Sequence, residues 1–223
     1  MMGLSPQDAA NIDNATATVQ SEDSGVYLRF NVGGNFVGDA DVTDFGFSNT
    51  SVSFDAGFDL GVAVGIPLSD NFSLEVSLGY QTNNIESASG LVDSVSGVGV
   101  LNSATGSVSQ MPLMANIRYD FSLTDSLTLG INAGVGIERT TFKLTSVGFF
   151  VPGVGQFVAT GNDSASDTNF RFGLRADLGW EITDRVMLGA YLGYAVSSAG
   201  SYDGTDVSSL QNLAIGGMLS FEF

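Results

Sequence analysis

Val52-Ser53-Phe54-Asp55-Ala56-Gly57-Phe58-Asp59-Leu60-Gly61-Val62-Ala63-Val64-Gly65-Ile66 is the stretch that decides the fold class. Val52, Phe54, Ala56, Phe58, Leu60, Val62, Val64 and Ile66 share one face of an extended chain, and small or acidic residues fill the other. A period of two marks a strand whose two faces meet different surroundings. The same alternation recurs upstream over 26–32 and downstream over 72–80, 111–121, 127–137, 170–182, 186–196 and 213–223. These make eight predicted strands, and Gly217 is the one position of their apolar face that is not apolar. The opposite face carries Gly, Ser, Asn and charges of both signs.

Composition narrows the chemistry. The 223 residues hold 29 glycines, no cysteine and no histidine, and the net charge is -17. Without cysteine there is no disulfide framework or thiolate metal site. Without histidine there is no Ser-His-Asp or Cys-His nucleophile and no imidazole zinc ligand. Such acidity excludes nucleic acid as a partner, since phosphates demand a basic surface. No apolar run is long enough for a transmembrane helix, which needs about 20 residues. Residues 1–24 are polar and small, with no basic start or apolar segment of a signal peptide. They read as a flexible or partly helical leader, and 25–223 read as one barrel domain. A signal peptide is taken to have been removed already.

Clean alternation suits a soluble sandwich with its apolar face inward, or a membrane barrel with that face turned to lipid. Four features favour the membrane. The polar face is rich in glycine, as a narrow lumen requires. Predicted connections alternate between short (67–71, 122–126, 183–185) and long (37–51, 81–108, 139–168, 197–211). Aromatics gather at strand ends: Phe72, Tyr119, Phe121, Trp180, Phe221 and Phe223 at the short-turn end, and Phe54, Tyr80, Phe170 and Tyr194 at the other. The strand number is even, and closure leaves no edge for lipid to satisfy. The fold class expected is therefore all-β, an eight-stranded antiparallel up-and-down transmembrane barrel with short periplasmic turns and long extracellular loops.

Two segments carry a family resemblance. Met111-Pro112-Leu113-Met114-Ala115-Asn116-Ile117-Arg118-Tyr119-Asp120-Phe121 resembles the fourth strand of small outer-membrane barrels of the OmpA/OmpX and opacity-protein type. The ending Leu219-Ser220-Phe221-Glu222-Phe223 resembles the terminal aromatic signal of such barrels. The resemblance implies a bacterial outer-membrane location, with membrane lipid and the barrel assembly machinery as partners. Phe221 and Phe223 would be the assembly signal.

The resemblance also brings enzymes into view, because barrels of this kind include deacylases, palmitoyl transferases and proteases that use histidine. This chain has none, so no catalytic residue and no cofactor is expected. Asp39, Asp41 and Asp44 cluster carboxylates of the kind that take Ca²⁺, but their spacing is not an EF-hand's. A hydrated, self-repelling surface explains them better. Apolar runs at 91–101 and at 147–158, the second with Pro152-Gly153 at its turn, suggest two outer loops that cap each other or meet another surface protein. Inward charges should pair into tiers: Arg29, Glu75 and Arg118 low, Asp177, Asp59 and Arg175 in the middle, Asp55, Arg171 and Glu138 high. Arg175 is expected at the centre of a salt-bridge network that plugs the lumen. Serine substitutions on the Gly57 or Gly134 face are expected to cost much less than a charge at Leu60, Ala133 or Leu174 on the apolar face. The function expected is structural, anchoring or surface-interacting, with a small pore as the alternative and an enzyme behind both.

Overall fold

The computed structural model describes residues 25–44, 47–94 and 97–223. Twelve strands follow in order: β1 (Tyr27–Val37), β2 (Ala40–Asp44), β3 (Phe47–Phe54), β4 (Gly57–Pro67), β5 (Phe72–Ser94), β6 (Gly97–Ser122), β7 (Leu127–Val151), β8 (Gly155–Thr183), β9 (Val186–Ser197), β10 (Gly200–Tyr202), β11 (Thr205–Val207) and β12 (Leu210–Glu222). Eight of them close a ring. β1 pairs with β4 on one side and β12 on the other, and the circuit runs β4–β5–β6–β7–β8–β9–β12, every pairing antiparallel. β2, β3, β10 and β11 continue the ladder above it, with β3 beside β5 and β11 beside β2. The leader expected over 1–24 lies outside the described residues.

The apolar stripe faces outward. Phe58, Leu60, Val64, Leu74, Val76, Leu78, Ile117, Val135, Phe172, Leu174 and Ile215 are each 42% to 60% exposed. Arg29, Glu75, Arg118, Glu138 and Asp177 are buried inside. This inversion of the soluble pattern fits a surface solvated by hydrocarbon. The short turns fall where expected, closed by backbone bonds such as Leu68 N–H to Phe72 O at 2.7 Å and Leu123 N–H to Leu127 O at 2.8 Å. Phe72, Phe121 and Trp180 point outward beside them.

Glycine on the inner face clears space for large polar groups. A Cβ at Gly130 would lie 2.1 Å from Arg118 Nη2, and one at Gly65 would lie 2.0 Å from the Tyr27 ring. The same crowding means that the low cost expected of serine on this face does not extend to Gly57 and Gly134 themselves. A Cβ would meet Thr82 O at 2.0 Å on Gly57 and Asn116 Oδ1 at 1.9 Å on Gly134.

The founding stretch is not one straight strand. It breaks at Asp55 and Ala56 between β3 and β4, where the register against β5 also slips. The break exchanges faces, so Phe54 is 8% exposed and points inward, while Phe58 beyond it points out. Phe54 is therefore no girdle residue, and Asp55 is exposed at the bend rather than in the lumen.

All four predicted long loops are largely strand: β2 and β3 occupy most of 37–51, β10 and β11 much of 197–211, and the ring strands run on through the other two. β5 and β6 part beyond Asn84 and Ser107 but pair again from Gly90 and Leu101 up to Ser94 and Gly97, while β7 and β8 reach Val151 and Gly155. Above the apolar band neither face meets lipid, so the alternation fades although the pairing persists. The β7–β8 turn is Pro152-Gly153-Val154, with Gly153 at φ 79°. The β10–β11 hairpin turns on Asp203 and Gly204, at φ 53° and 81°, a pairing that matches the twist of the flanking strands.

Candidate functional site

The inward polar side chains of the eight-strand ring form one column, placed there by the odd-even alternation of each strand. At its short-turn mouth lies a cavity of about 600 Å³, bordered by Tyr27, Arg118, Asp120, Met187, Met218 and Glu222. Just inside, Arg118 grips Asp177 with two parallel bonds of 2.8 Å and also reaches Asp120 at 2.7 Å. A bidentate guanidinium–carboxylate pair is the strongest form of such contact. Beside it Glu75 accepts from Arg29, from Tyr27 at 2.5 Å and from Asn132 at 2.6 Å. Arg29 and Arg175 each approach Asp177 at 3.7 Å.

One level up, Asp59 accepts from Tyr191, from Gln81 at 2.9 Å and from Asn31 at 3.4 Å. The Arg175 guanidinium lies 4.1 Å over the Tyr191 ring and donates to Asn31 at 3.2 Å. A cavity of about 140 Å³ lies among these groups. Higher still, Glu138 accepts from Arg171, Gln110 at 2.8 Å, Thr140 at 3.0 Å and Ser197 at 2.7 Å. Arg171 also reaches Gln81 at 2.9 Å, which joins this level to Asp59. An asparagine layer follows, with Asn35 donating to Asn83 at 2.7 Å.

Above the asparagines the interior becomes apolar. Val37, Ala40, Phe54, Val108, Tyr202, Val207 and Leu210 are buried together, with Phe142 and Ile85 against them. The Phe142 and Tyr202 rings meet edge to face at 4.8 Å. Asn169 donates to the Tyr202 hydroxyl at 2.7 Å, and burial pushes that hydroxyl's pKa up.

Of the residues expected in the lumen, Arg29, Asp59, Glu75, Arg118, Glu138, Arg171, Arg175 and Asp177 line it, and Asp55 does not. The grouping differs from expectation. Asp177 joins the lowest level, because strand tilt brings it beside Arg118. Arg175 stands at the edge of the network, its side chain 18% exposed and its nearest carboxylate oxygen 3.7 Å away. Arg118 and Glu138 are the two hubs. Tyr27, Asn31, Gln81, Gln110, Asn132, Tyr191 and Ser197 were not singled out from the sequence, although their parity on the polar face marks them.

Of the calcium candidates, Asp39 and Asp41 are exposed, and Asp44 is described only through its backbone. Among the described residues no three carboxylates gather closely enough to hold a metal. The two apolar runs do meet: Leu101 pairs with Phe149 and Val100 with Phe150, and Phe149 stacks on Phe157 at 5.5 Å. Leu101 and Val151 are buried there, while Phe150, Val154 and Val158 stay exposed. Phe221 packs edge to face on Phe30 at 6.4 Å, and the Phe223 N–H donates to Val26 O at 3.0 Å.

The family described as "Outer membrane protein beta-barrel domain" matches residues 8–223. The chain belongs to this family. Among solved structures it is similar to Neisserial surface protein A, with TM-score 0.52 and 15% identity over 90% of this chain and 98% of that one. It is also similar to the outer membrane protease OmpT from Escherichia coli, with TM-score 0.58 and 9% identity over 91% and 98% of the two chains. At such identities the likeness speaks for the fold. No curated protein matches the chain in sequence.

Proposed function

We propose that this outer-membrane barrel protein is a closed, non-conducting barrel of the bacterial outer membrane, serving as an anchor or surface-interaction scaffold. The observation that carries this reading is the stacking of two ion-pair hubs, at Arg118 and Glu138, under an apolar layer at the outer mouth. Ions would have to strip paired charges and then cross a hydrocarbon-like plug, and breaking buried pairs is costly. Catalysis is not part of the reading: the chain has no histidine, and Ser197, which donates to the Glu138 carboxylate, is fully buried in the lumen network. The surface role draws on the exposed Phe150, Val154 and Val158 at the β7–β8 tip, which would meet another surface protein. Lipid and, through Phe221 and Phe223, the assembly machinery complete its partners.

The test is conductance in planar bilayers. The wild-type protein should give no steady current. A variant that opens both barriers, Phe54→Ser with Glu138→Ala, should give one. Steady wild-type conductance that vanishes when the lumen is blocked would replace this reading with a small pore.

A further inference from the structure

The chain has seven basic residues against 24 acidic ones. Arg29, Arg118, Arg171 and Arg175 lie in the lumen, and Arg185 lies in the short turn between β8 and β9. The remaining two, Arg139 and Lys143, sit on the same strand, β7, and both are exposed on its outer face. Their parity matches Val135 and Ile137 below them, which face outward at 55% and 48% exposure. Neither takes part in an ion pair among the described residues.

Their height is specific. Met111, Ile137 and Phe170 are the last exposed apolar residues on β6, β7 and β8 before the outward positions turn polar. Arg139 comes next after Ile137 on that face and pairs with Met111 and Thr168. Thr141 follows, its hydroxyl 2.8 Å from that of Ser166, and Lys143 is flanked by Ser107 and Ser164. At about 3.3 Å per residue, the two cations stand about 13 Å apart along the strand. Two carboxylates of β8 lie near the strip. Asp167 is turned away, accepting from the backbone of Thr168 at 2.7 Å and of Ser201 at 3.0 Å. Asp163, exposed beside Ser164, forms no ion pair with Lys143. A hydroxyl-rich strip with two unpaired cations, seated directly on the apolar band of an otherwise acidic protein, thus lies at the depth of the lipid headgroups.

We propose that this strip binds the phosphate-bearing headgroup of an outer-leaflet lipid. Arg139 and Lys143 pair with phosphate oxygens through charge-assisted hydrogen bonds. Thr141, Ser166 and Thr168 serve the remaining headgroup oxygens, and Ile137 and Phe170 lie against its acyl chains. The methylene stems of Arg139 and Lys143 can rest on the band while their charged ends stay in the headgroup layer. The inference rests on the membrane placement proposed above.

The test uses the full chain refolded into phosphatidylcholine bilayers carrying a minor fraction of diphosphorylated lipid A. Lipid retained after detergent extraction is read by native mass spectrometry. Each basic residue at an anionic membrane surface is worth roughly five-fold in affinity. R139Q/K143Q should therefore lower retention by about 30-fold, while R185Q, which removes a cation at the opposite end, should leave it unchanged. Both variants should keep the heat-modifiable migration of a folded barrel, and millimolar inorganic phosphate should not displace the lipid. Equal retention by R139Q/K143Q, equal binding of dephosphorylated lipid A, or displacement by inorganic phosphate overturns the site. Failure of the wild type to enter bilayers at all refutes the membrane placement instead.

Discussion

Arg118→Met removes one of the two hubs of the lumen network. Arg118 is 4% exposed, and it holds both oxygens of Asp177 at 2.8 Å and Asp120 at 2.7 Å. Methionine fills much of the same volume without charge, so the loss isolates the electrostatic part. Asp177, whose side chain is fully buried, would be left with Arg29 and Arg175, each 3.7 Å away. Breaking a buried pair from one side costs roughly 3–5 kcal/mol, because an uncompensated charge stays in the interior. The two distant guanidiniums should hold the cost to the lower half of that range. Urea unfolding in vesicles can be followed through Trp180, the single tryptophan, which is 63% exposed on the membrane face of β8. Arg118→Met with Asp177→Asn removes both charges, and at least about half the lost stability should return. Arg139→Gln, an exposed change, should stay within the scatter of surface substitutions. A single-variant loss below about 1 kcal/mol, or a double variant no better than Arg118→Met, would refute the account of Arg118 as a hub.

Leu174→Arg places a charge on the outer face near the middle of the apolar band, where it should cost roughly 2–4 kcal/mol in the same unfolding assay. A loss near zero would mean that this face is not turned to hydrocarbon. Deleting Phe223 should impair assembly in cells more than refolding in detergent, scored by heat-modifiable migration. Equal losses in both would make Phe223 an ordinary contact residue.

The period of two established, from the sequence alone, that this is an all-β chain and which residues of each strand share a face. Charge and glycine content on the polar face then separated lumen from solvent, and Trp180, Phe72 and Phe121 marked the short-turn rim. Eight of the nine charged residues expected in the lumen are there, because a run such as 171–180 keeps an unbroken register with both neighbours and so keeps its parity. Asp55 and Phe54 went astray because the bend at 55–56 exchanges the faces, and nothing in Asp55-Ala56-Gly57 distinguishes a bend from continued strand. Alternation reports a face but no height. Which charges meet across the barrel depends on tilt and register, which the tertiary pairing alone sets. So Arg175, central on a ladder counted along the chain, stands at the margin in space, while Arg118 and Glu138 gather the partners. The apolar layer above the asparagines was invisible for the same reason: Val37, Phe54, Val108, Tyr202 and Leu210 come from strands far apart in sequence, and only closure of the ring brings them together.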